Sequence, residues 1–209
     1  MMKQVESRES ERRTEILGAA QKCFARYGYA KTTMEDIAQT VGMKAGSLYH
    51  YYDGKGTIFR DVITYEADQM LHWLQQVVAK QKSVGRKVLS YIGGRLEYFR
   101  KVANLLDVSI QVLVEVKPLL DKIYKDVMKR EIAFLSGIIQ QGIDEGQIRS
   151  CNSTRVADAI LAVSESLKFK GIHSSSGTSA AEVDFAATDR DVNYIVRLIL
   201  EGLTISKKG

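Results

Sequence analysis

Eight positions near the N-terminus have the chemistry to grip a polyanion: Thr33, Lys44, Ala45, Gly46, Ser47, Tyr49, His50 and Lys55. Lys44 and Ser47 carry donors that suit a guanine edge or a phosphate. Ala45 and Gly46 remove bulk and permit close approach. Tyr49 and His50 are suited to phosphate oxygens, which position a strand without reading its sequence. Packing is the competing reading for Tyr49, and a solvated surface site for His50; Leu48 and Tyr52 are read as core. Thr33 and Lys55 each open a helix, where free N–H groups and the helix dipole favour a phosphate.

These positions need short, closely set helices to present them. A first helix has Ile16, Ala20, Cys23 and Tyr27 on one face, with Ala19 and Phe24 beside them, and stops at Gly28. Thr33, followed by Glu35 and Asp36, reads as the cap and acidic first turn of a second helix that ends at Gly42. A third runs from about Ala45 to Tyr51, and Asp53 caps a longer fourth from Lys55 towards Ala79. Two helices that cross closely need a small residue midway along the first, a Gly at the turn and apolar residues at fixed offsets. Ala38, Gly42 and the set Ile37, Met43, Leu48 and Tyr51 meet those needs.

Taken with their flanks, these residues resemble the tetracycline-repressor (TetR) family. The likeness covers residues 13–60 and is carried by Arg13, Ile16-Leu17, Ala19-Ala20, Phe24, Gly28-Tyr29, Thr33, Ile37-Ala38, Gly42, Gly46-Ser47-Leu48-Tyr49, Tyr52 and Lys55. Tyr52 departs from the commoner Phe. Gly54 and Gly56 flank Lys55 where Ser and Glu are more usual, which loosens the start of the fourth helix. The resemblance implies an all-α fold: a three-helix helix-turn-helix domain over residues 1–54, then a helical ligand-binding and dimerisation domain over 55–209. It also implies a repressor that holds a palindromic operator in double-stranded DNA as a homodimer and is released by a small, largely apolar effector. The alternatives are a constitutive regulator, or a relative that acts as a protein-interaction module without ligand response.

Beyond the fourth helix the sequence reads as helices near Gly85–Val102 and Asn104–Glu115, and a long one from Pro118, in its first turn, to Asp144, closed by Gly146. Thr154 caps the next, residues 174–188 read as a flexible surface loop, and the last helix spans about Asp189–Leu203. Two apolar stripes, Val156/Ile160/Val163/Leu167 and Val192/Ile195/Ile199/Leu203, are wide enough to pack against a twin in a four-helix bundle. Val196 lies on the second stripe. For a pocket between helices the candidates are Trp73, Tyr98, Phe99, Phe134, Glu165 and Phe169, with Met70 as further core.

The totals fit this reading. Pro118 is the only Pro of 209 residues, as an all-α chain allows. Net charge is +5; residues 1–60 hold ten Lys/Arg against seven Asp/Glu, so the excess is densest where the polyanion-binding positions lie. The polar stretch Met1–Glu11 and the lack of a long apolar run suggest a cytoplasmic protein that does not enter membranes, with Cys23 and Cys151 as reduced thiols. Gly54-Lys55-Gly56-Thr57 has no Gly in the five positions before it and no strand, so it is no phosphate loop. His50, His72 and His173 lie far apart without acid or Cys at ligand spacing, so no metal or other cofactor is expected, and no catalytic triad signature points to an enzyme.

Overall fold

The computed structural model describes residues 2–105, 110–174 and 184–205, with side chains from residue 8 onward except 102–122. Eight helices follow one another: α1 (Met2–Lys31), α2 (Met34–Thr40), α3 (Ala45–Leu48), α4 (Lys55–Ala79), α5 (Val84–Leu105), α6 (Ile110–Asp144), α7 (Ser153–Ser174) and α8 (Phe185–Leu203). No strand forms among the described residues; a lone bridge joins Ile148 to Thr204. The fold is all-α, as expected.

Among the described residues two large cores hold most of the buried apolar side chains, and a small third joins Ile172 and Phe185 to Leu96 and Phe99. Around the first, Ile16, Ala20 and Phe24 of α1 meet Ile37 and Ala38 of α2, Leu48 of α3, Tyr52, and Ile58, Phe59 and Val62 of α4, all buried. This core reaches eight residues past position 54, where the domain boundary was expected, because α4 supplies its floor. Phe59 stacks edge-on against Phe24 at 5.3 Å and lies 4.7 Å from the Tyr29 ring. Tyr27, expected on the buried face of α1, is 43% exposed. Gly28 has φ +74 and turns the chain before that face can continue, although helix resumes as far as Lys31.

The helix ends explain themselves. Thr33 caps α2 in a reciprocal capping box with Asp36. At the other end Met43 N donates to Ala38 O and Gly42 N to Gln39 O, a Schellman closure that needs the left-handed φ of +71 at Gly42. Asp53 does not cap α4: Gly54 is the N-cap and makes no side-chain bond. The third helix closes at Leu48, three residues short of Tyr51.

The second core joins Leu74 and Val78 of α4, Val88, Tyr91 and Ile92 of α5, Leu135 and Ile139 of α6, Ile160 and Leu161 of α7, and Val192, Val196 and Leu200 of α8. Because α4 lines both cores, it is the rod between them. Three expectations change here. The helix α6 begins at Ile110, so Pro118 lies inside it and the separate helix Asn104–Glu115 is split between α5 and α6, residues 106–109 falling outside the described set. Asn152, not Thr154, caps α7, its Oδ1 accepting from Arg155 N at 2.9 Å. Of the surface loop expected over 174–188, Ser174 ends α7, 175–183 lie outside the described residues, and 185–188 are helical, because Asp184 accepts from Ala186 N and Ala187 N and starts α8 early.

Candidate nucleic-acid interface

At the N-terminus of α3, Lys44 is the N-cap, exposed and without a side-chain bond to the helix. Gly46 is exposed beside it, and Ala45 and Ser47 are half-buried. Tyr49 is 50% exposed and His50 is exposed at the other end, while Leu48 between them is fully buried and anchors the helix. Six of the eight expected positions therefore lie on one short helix and the turn that follows it. Tyr52 is buried under the Arg13 guanidinium, which lies 5.3 Å over its ring. Burial first, then the neighbouring Asp61, pushes its hydroxyl above the usual tyrosine value.

The other two positions are already engaged. Thr33 is exposed, but its amide donates to Asp36 Oδ2 at 2.9 Å and its hydroxyl donates to the same oxygen at 2.7 Å. These bonds hold the Asp36 carboxyl below its ordinary value, and the carboxylate sits where a phosphate was expected. The Lys55 ammonium donates to three backbone carbonyls at and just past the end of α1, those of Tyr29 (3.0 Å), Ala30 (2.9 Å) and Thr32 (3.0 Å), and lies 4.9 Å over the Tyr29 ring. An ammonium has three donors, and all three are used. The side chain staples α4 to α1, so its donors are spent within the protein where a phosphate contact was expected.

The residues expected around a pocket fall into three groups. Trp73 of α4 packs on Tyr98 of α5 at 6.0 Å, and the Tyr98 hydroxyl donates to Glu66 Oε2 at 2.8 Å. Glu66 Oε1 in turn accepts from Gln21 of α1 at 2.6 Å, so one carboxylate ties the first helix to the second body. Phe134 packs on Tyr91 at 5.4 Å. Phe99 packs on Phe185 at 5.8 Å, and Phe169 is 42% exposed. Glu165, a candidate for a pocket between helices, is buried.

Around Glu165 lies a cluster that the sequence did not reveal. Arg95 of α5 bonds Glu131 of α6 with two nitrogens and reaches Glu165 of α7 at 3.2 Å. The Tyr91 hydroxyl also donates to Glu131, at 2.9 Å. Lys168 lies against the other oxygen of Glu165, 4.4 Å over the Phe99 ring and 5.3 Å over that of Phe169. Burial alone would raise the Glu165 carboxyl, yet Lys168 and then Arg95 outweigh it and hold the group below its ordinary value. The available signal was Arg95 and Glu131 standing at core-facing offsets, four residues from Tyr91 and Leu135 respectively.

The two apolar stripes also divide. Ile160, Val192 and Leu203 are buried in the chain's own core, so they are unavailable to a twin. Val156, Val163, Leu167, Ile195 and Ile199 are half-buried, and beside them on α8 Tyr194 and Leu198 are 63% and 47% exposed.

Among the described residues no group of His, Cys, Asp and Glu could hold a metal ion, and no helix is long and apolar enough to cross a membrane. Residues 16–62 match the family described as "Bacterial regulatory proteins, tetR family". The helix-turn-helix-type transcriptional regulator YfiR of Bacillus subtilis is 32% identical over 148 residues, 68% of this chain and 70% of its own length. A helix-turn-helix-type transcriptional repressor of Mycobacterium tuberculosis is 31% identical over 52% of this chain and 60% of its own length. The crystal structure of a transcriptional regulator from Cytophaga hutchinsonii superposes with a TM-score of 0.78 at 26% identity, covering 91% of this chain and 97% of that one.

Proposed function

Because the chain belongs to the TetR family and is a DNA-binding transcriptional regulator, we propose that it represses by holding a palindromic operator as a twofold dimer in the cytoplasm, and that a small molecule entering its second body releases it. The observation that carries the DNA reading is α3 with its two ends: Lys44 caps it, Gly46 and Ser47 lie on it, Tyr49 and His50 follow it, and Leu48 anchors it from below. A recognition helix enters the major groove with its N-terminal end, so Lys44 and Ser47 read base edges or hold phosphate while Tyr49 and His50 contact the backbone. Thr33 has only its remaining lone pair to offer, and Lys55 acts by holding α1 and α4 in register.

A twofold dimer must place its two recognition helices about one duplex turn apart, roughly 34–36 Å, or a multiple of it. The half-buried residues of α7 and α8, with Tyr194 and Leu198, supply the contact face. Selection from random duplexes should return an inverted repeat, and Lys44→Ala should reduce the slope of log affinity against log salt by about one if it holds phosphate, or relax one base position if it reads an edge. Non-palindromic or salt-insensitive sites would overturn the DNA reading. Leu198→Glu should give a monomer in sedimentation with weakened operator binding; an intact dimer would remove Leu198 from the interface.

Release by a ligand is supported by the route that Glu66 provides. A ligand that shifts α5 pulls on Tyr98, Glu66 and Gln21 in turn, and so alters the tilt of α1 and the separation of the two recognition helices. A coupling of about 1–3 kcal/mol already changes operator affinity 5–150-fold. A thermal-shift screen followed by operator titration tests it; stabilising compounds that all leave operator affinity unchanged would indicate a constitutive regulator.

A further inference from the structure

The cluster in the second body is two ion pairs of unequal quality. Arg95 and Glu131 form a closed unit: two nitrogens on two oxygens, a tyrosine hydroxyl as third donor, and a carboxylate only 1% exposed. Glu165 and Lys168 form an open one. The ammonium lies 2.5 Å from Glu165 Oε1, but that oxygen, buried, accepts no aligned hydrogen bond among the described residues. The ammonium also lies over the Phe99 and Phe169 rings, with Arg95 and Glu131 acting on it by charge and the Tyr124 hydroxyl lying against Glu165. Ring faces stabilise a cation through its charge and offer its N–H groups no directed acceptor, so they serve an alkylated or delocalised cation as well as a primary ammonium.

Charge accounting then selects a class of ligand. The cluster holds two cations and two carboxylates. An anion would have to displace Glu165 from both Arg95 and Lys168 and leave an extra negative charge in a buried site. A neutral molecule in place of the ammonium would strip Glu165 of its nearer cation. Only a cation can replace Lys168 without changing the balance. The exchange also has an exit: Lys168 is on a flexible four-carbon stem, its side chain is 15% exposed, and Phe169 next to it reaches the surface. Burial pushes the ammonium below its ordinary value, more than Glu165 restores, so moving it into water relieves a cost.

We propose that the Lys168 ammonium occupies a cation site made by Glu165, Phe99 and Phe169, and that the effector is a lipophilic organic cation that takes its place. The proposal rests on the effector-release reading and replaces the largely apolar effector expected from sequence with a charged one.

The test uses the full chain with benzyltrimethylammonium, its neutral carbon isostere neopentylbenzene, and phenylacetate. The cation should raise the melting temperature, weaken operator binding, and bind about tenfold or more tightly than the neutral isostere, with phenylacetate weaker still. Lys168→Met removes the internal competitor and should tighten cation binding several-fold. Glu165→Gln should weaken it about tenfold, and Phe169→Leu, which leaves all charges in place and guards against misfolding of the other two, about threefold. Failure of the cation to bind, equal binding by the neutral isostere, or preference for phenylacetate overturns the cation site. If the neutral or anionic probe nevertheless releases the operator, the effector reading stands and only the assigned class falls. Cation binding with unchanged operator affinity overturns the effector role.

Discussion

Lys55 shows how a residue of the expected type in the expected place can have another role. Sequence placed it at a helix start facing phosphate; the structure spends its three donors on the carbonyls of Tyr29, Ala30 and Thr32. That role was not legible, because it depends on the end of α1 being folded back against α4 more than twenty residues later. Lys55→Met keeps the stem and deletes the bonds. It should lower stability by about 2 kcal/mol, since bonds from a charged donor are lost and three carbonyls must find water. The salt slope of DNA binding should stay unchanged; normal stability with a slope reduced by about one would restore the phosphate role. Glu165 makes a second residue-level prediction. Its carboxyl is held below the ordinary value, so its ionised form favours the folded state. That contribution is complete above the unfolded value near pH 4.5 and is lost as pH falls through the depressed folded value. Urea midpoints should therefore show Glu165→Gln less stable than the parent at pH 6, with the gap narrowing below about pH 4. A gap independent of pH would mean that the pairing with Lys168 and Arg95 contributes nothing.

Helix boundaries were legible where a local chemical signal sets them. Thr33 with Asp36 starts α2 and Gly42 ends it, because a capping box and a left-handed glycine act within a few residues. They were misread where two signals competed: Asn152 stands two residues before Thr154 and takes the cap, and Pro118 was assigned to a first turn although α6 runs through it. The glycine that closes α6 was read correctly, but Gly142, one turn earlier, was not singled out. A Cβ there would lie 2.5 Å from Val84 Cγ2 and 3.1 Å from Val84 Cβ, so the contact between the two helices requires a bare backbone. Valine is stiff about χ1 and cannot turn away. Gly142→Ala should cost about 1–3 kcal/mol. Gly94→Ala should cost less, because the nearest atom it meets, Leu74 Cδ2 at 2.6 Å, ends a rotatable side chain. Thermal unfolding of the two variants ranks them, and the reverse order would show that Leu74 yields less readily than Val84.

In the whole molecule, the division into a DNA-contacting body and a larger helical one was legible from the family likeness, whereas the device that joins them was not. Glu66 has no local mark: it is one acid among several on a long helix, and only the approach of Gln21 from α1 and Tyr98 from α5 gives it a function. The charged cluster around Glu165 escaped for the same reason, since Arg95, Glu131 and Lys168 each lie on a different helix or turn. Removing the Glu66 bridge should let the two bodies melt apart. Trp73, the only tryptophan, packs on Tyr98 and reports on the second body. Its fluorescence and far-ultraviolet dichroism should follow one thermal transition in the parent and separate in Glu66→Ala; coincident curves in the variant would show that α4 alone couples the bodies. The first core has a further consequence, for how such regulators diversify. Ile58, Phe59 and Val62 belong to the body that touches DNA although they sit on the helix that leads out of it. A crossover at residue 54 would separate Ile58, Phe59, Val62 and the Lys55 staple from the residues of α1 to α3 that they pack on and bond. The first two turns of α4 are therefore expected to be inherited with the body whose core they complete, and a chimera joined beyond Val62 should keep that core where one joined at residue 54 to an unrelated second body should lose it.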